Sequence, residues 1–170
     1  PWLARTEGVL IDTTGWYNFV FAVDTTSPTL NHRLRLWVNG VEVHFVYTAN
    51  STSQNQDLAV NQTSTRISFG RTIRTDQYAQ WSQATVADAK FIDGYQLGPE
   101  YFGKLYEGTW IPQPLTTAGT QVTSGLVRDY DFTKGDVTDA TGNSNGSHSN
   151  MTFKRNNEGV AKYNGSNSYI

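Results

Sequence analysis

The chain has no cysteine, so disulfide scaffolds and thiolate metal sites are excluded. No apolar run approaches the ~20 residues that span a bilayer, and no charged n-region leads into an apolar segment, so membrane insertion is not expected. A clustered positive surface is missing as well. The net charge is -2, and Arg33, Arg35, Arg66, Arg71 and Arg74 are scattered, which argues against neutralising nucleic-acid phosphates. The paired carboxylates of a glycosidase are absent: there is no Glu-x-Asp-x-Glu, and Glu7, Glu42, Glu100, Glu107 and Glu158 lie far apart, whereas that chemistry needs two carboxylates across one bond. His32, His44 and His148 come with no Gly-x-Ser-x-Gly nucleophile motif. Catalysis is not expected, and no cofactor is implied. Ala-Leu-Glu-Lys patterning at helical spacing is scarce, so a helical bundle is excluded too.

What is present is β-forming. Hydrophobic residues make up 37% and aromatic residues 13% of 170 residues, enough for a real core in one sandwich or barrel. Runs of Thr, Val, Tyr, Phe and Trp punctuated by Gly and Asn predict short strands joined by turns, hence an all-β fold. Trp16 to Asp24 reads as a strand that ends before Pro28, which has no N–H to donate. Leu34-Arg35-Leu36-Trp37-Val38, Asn39-Gly40 and Val41-Glu42-Val43-His44-Phe45 form the strongest local signal, because Asn-Gly accepts the positive φ of a two-residue hairpin turn. Alternation places Leu34, Leu36, Val38, Val41, Val43 and Phe45 on one face, expected to be the core. Arg33, Arg35, Trp37, Glu42 and His44 fall on the other, expected to be outside.

Ala49 to Asn61 reads as a surface loop, and Arg66 to Arg71 and Val86 to Ile92 as strands, with Asp93-Gly94 turning the chain. Leu97 to Gly103 reads as one short helical turn, Pro99 near its start and Gly103 as its C-terminal cap. Thr116 to Ser124 is a small-residue linker. Leu126 to Phe132 is a strand, Thr138 to Asn150 a Gly/Asn/Ser loop, and Val160 heads a strand running to Tyr169-Ile170.

Exposed aromatic side chains stack on sugar faces or mark interfaces. Trp37 beside Arg35, and Trp81 near Tyr78, are therefore the ligand or interface candidates, with an interface favoured. Thr141, Asn143, Asn145 and Gly146 imitate part of an EF-hand loop, but Thr stands at the first ligand position and Thr152 where a bidentate Glu is needed. Asp131, Asp136 and Asp139 are the weak candidates for calcium, against a turn-forming role that is favoured because Asp caps its own backbone in such loops.

Trp16-Tyr17-Asn18-Phe19-Val20-Phe21-Ala22-Val23-Asp24, then Leu34 to Val43 and Ile67-Ser68-Phe69-Gly70, resembles the closing strands of the laminin G-like, concanavalin A-like jelly-roll family. Gly125 to Phe132, the loop Thr138 to Asn143, and Gly159 to Ile170 resemble that family's opening strands. The resemblance implies an antiparallel jelly-roll β-sandwich whose halves stand in reversed order. Residues 1–115 would be the closing part, 116–124 a linker and 125–170 the opening strands, with closure by permutation or by a neighbouring chain, the latter favoured. Related jelly rolls sometimes hold calcium between loops. Ala89 to Leu97, Tyr101-Phe102-Gly103 and Gly108-Thr109-Trp110-Ile111-Pro112 resemble a stretch that follows such modules in tail-fibre and virion proteins of bacterial viruses, with Lys90 where an acidic or apolar residue is commoner. Pro1 is no translational start, so a processed or excerpted chain is expected. Together these features lead us to expect a non-enzymatic structural protein of a virion surface or other extracellular assembly, associating with its own copies or with neighbouring subunits. A glycan-binding adhesin module, with carbohydrate as partner, is the alternative.

Overall fold

The computed structural model describes residues 3–6, 12, 14–49, 52–58, 84–117, 120–121, 125–147, 151–154 and 160–163. The fold is all-β. Antiparallel strands make up the regular structure, and the one α-helix among the described residues, α1 (Leu30–Arg33), is a single turn. Among these residues no helix is long and apolar enough to cross a membrane. The chain divides into two compact units, residues 1–58 with 95–123 and residues 59–94 with 124–170.

In the first unit β1 (Leu3–Thr6) stands apart from the three-stranded meander formed by β2 (Phe19–Val23), β3 (Leu34–Val38) and β4 (Val41–Val43). The β3–β4 connection is the expected Asn-Gly turn: Asn39 has φ 48° and Gly40 φ 79°, the left-handed pair whose twist suits antiparallel strands. Asn39 also closes the sheet end, its N–H donating to Asn18 O at 2.9 Å while its Oδ1 accepts from Asn18 N at 2.8 Å. Between β2 and β3 the chain bends through an Asx turn, in which Asp24 Oδ1 accepts from Thr26 N at 3.0 Å. His44 separates β4 from β5 (Phe45–Ala49), which leaves the meander to pair with β1, Thr6 opposite Phe45. Regular strand thus runs on to Ala49, where a loop was expected to begin.

Residues 95–123 complete the unit. The 3-10 turn Pro99–Tyr101 replaces the expected helical turn. Gly103 does not cap it; Phe102 does, and Gly103 opens a strand. In chain order the strands of the second unit, β6 (Thr85–Val86) and β7 (Asp88–Ile92), precede β8 (Gly103–Tyr106) and β9 (Thr109–Pro112), a hairpin turning at Glu107 (φ 47°) and Gly108 (φ 79°). Within the presumed linker, β10 (Thr116–Thr117) and β11 (Thr120–Gln121) form a minimal ladder.

The second unit is built from β6, β7, β12 (Leu126–Asp131), β13 (Met151–Lys154) and β14 (Val160–Tyr163). β12 pairs with β7 and β14 pairs with β13 and β6. The expected strand 86–92 is interrupted at Ala87, whose carbonyl accepts from Phe132 N at 3.0 Å, so the chain changes partner from β14 to β12 at that point. β12 ends one residue early in the 3-10 turn Phe132–Lys134. Of the strands after residue 124, β12 and β14 therefore pair with residues 85–92 of the same chain, and β13 pairs with β14. The expected strand Arg66 to Arg71 and the end of the strand to Ile170 lie outside the described residues.

Gly40 carries two separate constraints. Its φ is +79°, and a Cβ there would lie 2.6 Å from Cε3 of the Trp110 ring. Gly108 has the same φ but nothing within 4 Å of its Cβ position. A left-handed φ costs an L-residue about 1–2 kcal/mol, and overpacking adds about 1–3 kcal/mol. Gly108→Ala is thus expected to destabilise by about 1 kcal/mol and Gly40→Ala by about 3 kcal/mol in urea unfolding. Equal losses would show that Trp110 does not sit on the turn.

Candidate functional site

The β2–β3–β4 meander has two unlike faces. Directly paired residues share a face, and the register sets Phe19 against Val38, Phe21 against Leu36, Val23 against Leu34, Leu36 against Val43 and Val38 against Val41. That face is apolar throughout. The opposite face carries Val20 beside Trp37, Ala22 beside Arg35, and Trp37 beside Glu42.

Alternation sorts the residues of β3 and β4 correctly, whereas Arg33 falls in α1, His44 between strands and Phe45 in β5, and the covered face is not the one expected. Trp37 is 7% exposed and clusters with Val20 and Ala22, with Phe102 packed against them. Trp110 lies over the neighbouring turn at Gly40 and against Gly103, where an added Cβ would come within 2.8 Å of the backbone oxygen of Ile111. Trp37 is therefore a core residue and not an outward one. The physical reason is that the segment 99–112 supplies an aromatic cover to that side. On the apolar face Leu34 is buried at one end, while Phe19, Phe21 and Val41 are 54%, 55% and 68% exposed. Phe21 meets Phe45 edge to face at 6.4 Å, so β5 borders this surface without closing it.

The charges on the covered face are matched. Arg35 Nε donates to Glu42 Oε1 at 2.8 Å and Nη2 to Oε2 at 2.7 Å, a two-pronged pair. Its Cζ lies 4.5 Å from the Trp37 ring centroid, a cation–π contact. The hydrogen bond from Arg35 holds the Glu42 carboxyl below the ordinary carboxylate range, with burial opposing it, and the same bond raises the Arg35 guanidinium. The guanidinium occupies the ring face that a sugar would need. Arg35 and Trp37 thus come together as an internal cluster.

Tyr78 and Trp81 lie outside the described residues. His32 and His44 are exposed on the surface of the first unit. The covering residues Phe102 and Trp110 had no local signal tying them to Trp37, whereas hairpin alternation already sets Glu42 on the Trp37 face. Exposed rings are found elsewhere in this unit, at Trp16 (60%), Tyr95 (54%) and Tyr106 (56%).

In the second unit each candidate aspartate is engaged by its own turn. Asp131 accepts from Thr133 N at 3.1 Å, and Asp136 from Thr138 N at 2.9 Å. Asp139 is 2% exposed and accepts from the backbone N–H groups of Asp129, Thr141 and Ser144 at 2.9, 3.0 and 3.0 Å. Thr141 Oγ1 also donates to it at 2.8 Å, and Asn145 Oδ1 accepts from the Asp139 N–H at 3.0 Å. Of the residues that imitate an EF-hand, Thr141 and Asn145 are spent on these bonds, and Asn143 Nδ2 donates to Val127 O at 3.0 Å. Burial works against the charge of Asp139, but the N–H donors of Asp129, Thr141 and Ser144 with the Thr141 hydroxyl hold its carboxyl below the ordinary value. Among the described residues no group of three or more His, Asp or Glu could hold a metal ion.

Comparison of the chain with protein-family models, with curated proteins and with solved structures finds no match.

Truncating a buried Trp removes transfer energy and leaves a cavity, so Trp37→Ala is expected to cost about 3–5 kcal/mol in chemical unfolding. A loss below about 1 kcal/mol would return Trp37 to the surface. The pH dependence has a definite sign. Asp139 and Glu42 have folded-state values below their unfolded ones, so their stabilisation is present above the unfolded carboxylate range and is lost as pH falls through the folded values. Thermal melts should drop on acidification below about pH 4, and Asp139→Asn should flatten that slope. A wild-type slope retained in Asp139→Asn and in Glu42→Gln would contradict the assignment.

Proposed function

We propose that the chain is a non-enzymatic structural module of a virion surface or other extracellular assembly, a jelly-roll β-sandwich whose first sheet is β2–β3–β4. The observation that carries this reading is the open apolar face of that sheet, with Phe19, Phe21 and Val41 more than half exposed. A contiguous apolar surface on a folded unit marks an interaction site, and a sandwich buries such a face against a second sheet ~10 Å away. The covered side, by contrast, is closed within the unit by Phe102 and its charges are mutually satisfied. Nothing in that arrangement offers an unpaired acid or base to a substrate. The strand pairing beyond residue 124 is compatible with either mode of sandwich closure.

Glycan binding is a second reading, favoured by the exposed rings of Trp16, Tyr95 and Tyr106. Trp37 does not contribute to it, because Arg35 covers its ring.

Electron microscopy of the chain in its native particle, combined with a glycan array, separates the two. The structural reading expects the chain at regular positions in an ordered assembly and no sugar binding that depends on aromatic residues. Phe21→Asp should reduce incorporation at least tenfold, a loss of the size that follows from charging a buried apolar contact, while the melting temperature stays within a few degrees. Dispersed single chains that bind a defined sugar, with binding lost in Trp16→Ala, would overturn it.

A further inference from the structure

We propose that the loop 136–146 is a built-in cover for the outer edge of β12, standing where a neighbouring strand would pair and so closing that edge to other chains. An antiparallel strand turns the backbone groups of alternate residues to opposite sides. Phe132 N–H donates to Ala87 O at 3.0 Å on the β7 side, so Asp129 and Val127 present theirs to the other side. A row of this kind is a template for strand addition by any extended chain. Here the row is filled. Asp129 N–H donates to Asp139 Oδ1 at 2.9 Å and Asp129 O accepts from Ala140 N–H at 2.7 Å, with Asp139 bridged to Tyr130 in the antiparallel sense. A neighbouring strand would offer one N–H and one carbonyl at that place; the loop offers the Ala140 N–H and a carboxylate in the carbonyl's stead. One step along, Val127 O accepts from Thr141 Oγ1 and Asn143 Nδ2, both at 3.0 Å, and from Arg128 Nη1 at 2.8 Å.

The cover holds its own shape. Gly146 N–H donates to Val137 O and Gly142 N–H to Asp139 O, both at 2.9 Å, and the Tyr130 hydroxyl donates to Ser144 O at 3.0 Å. Gly142 takes the left-handed φ of 76° that the turn needs. A carboxylate accepts a stronger hydrogen bond than a carbonyl does. Asp139 is 2% exposed and also accepts from the N–H groups of Thr141 and Ser144 at 3.0 Å, so it cannot leave Asp129 without uncovering all of them together. An extended segment of another chain would match the edge bonds but not this cluster, and the loop therefore outcompetes it. Past Asp131 the 3-10 turn Phe132–Lys134 bends the chain out of the ladder. With the β12 edge filled, association of the chain falls to other surfaces, whatever assembly it enters.

The test is amide hydrogen exchange of the whole chain at ~10 µM and ~500 µM, with Asp139→Ala and the shape-conserving Thr141→Val in parallel and sedimentation velocity on the same samples. In the wild type the Asp129 N–H is expected to be protected equally at both concentrations. At ~10 µM it should exchange about a hundredfold faster in Asp139→Ala and about tenfold faster in Thr141→Val, while the Phe132 N–H on the other side of the same strand keeps its protection. At ~500 µM the protection of Asp129 should return in both variants, together with a larger sedimenting species than the wild type forms, as a second chain pairs with the bared edge. Wild-type exchange of Asp129 in both variants would overturn the cover. An edge that stays unprotected at both concentrations with no change in size would overturn it too. Loss of Phe132 protection in both variants counts against it equally, by making the loop part of the fold of the β7–β12 ladder rather than a cover on its edge; if Asp139→Ala alone loses it, Thr141→Val decides by the same two readings.

Discussion

The indole of Trp110 occupies the space that a side chain at Gly40 would fill, and this contact joins two hairpins that are remote in sequence. One carries the Asn39-Gly40 turn and the other turns at Glu107-Gly108. Phe102, next to Gly103 on which Trp110 also rests, packs against Val20, Ala22 and Trp37, so that side of the meander becomes the interior of the first unit. Val20, Ala22 and Trp37 are buried as a result, and Arg35 is drawn across the Trp37 ring towards Glu42. The contact has a cost, since Trp110 Nε1 is buried without a hydrogen-bond partner, which typically forfeits about 1–3 kcal/mol. It is retained because the glycines at 40 and 103 give the ring a bed that no other residue type would leave open.

Once one side of a three-stranded sheet is used, the other must either face water or find a partner. Here that other side is the more apolar of the two, which inverts the ordinary arrangement of an antiparallel sheet with one dry and one wet face. An exposed run of Phe and Val opposes solubility and favours association. The charged pair works in the other sense. Arg35 and Glu42 keep side-chain exposures of 33% and 34%, so solvent screening limits their mutual contribution to about 0.5–1 kcal/mol. Their role is positional: they fix the guanidinium over Trp37 and keep both charges away from the open face.

Much of the local structure was legible in the residues. The all-β class followed from composition, and the Asn39-Gly40 hairpin from turn chemistry, because a left-handed pair leaves few alternatives. Alternation also sorted the residues of β3 and β4 correctly between faces. It did not say which face is inside. A period of two fixes parity and not sign, and the customary guess that charge lies outward failed at Arg35 because Glu42 and Trp37 satisfy it. The deciding cover, Phe102, with Trp110 over the adjoining turn, lies 65 to 73 positions beyond Trp37 and leaves no periodic trace near it. The Glu107-Gly108 turn was readable in retrospect, since Leu105-Tyr106 and Thr109-Trp110-Ile111 flank a Gly as strand residues do. In the second unit the preference for turn-forming aspartates matches the hydrogen bonds of Asp131, Asp136 and Asp139. Tyr78 and Trp81 fall outside the described residues.

The absence of cysteine allows a direct measurement of which face is open, because any single introduced thiol is the sole reactive one in the chain. Val41→Cys and Val20→Cys, each at micromolar concentration, would be labelled with a maleimide under native conditions and timed against the unfolded chain. The two-faced sheet predicts labelling at position 41 near the unfolded rate and protection of at least a hundredfold at position 20, as for a thiol exposed only by opening. Rapid labelling at 20 with protection at 41 would contradict it, and with it the open apolar face.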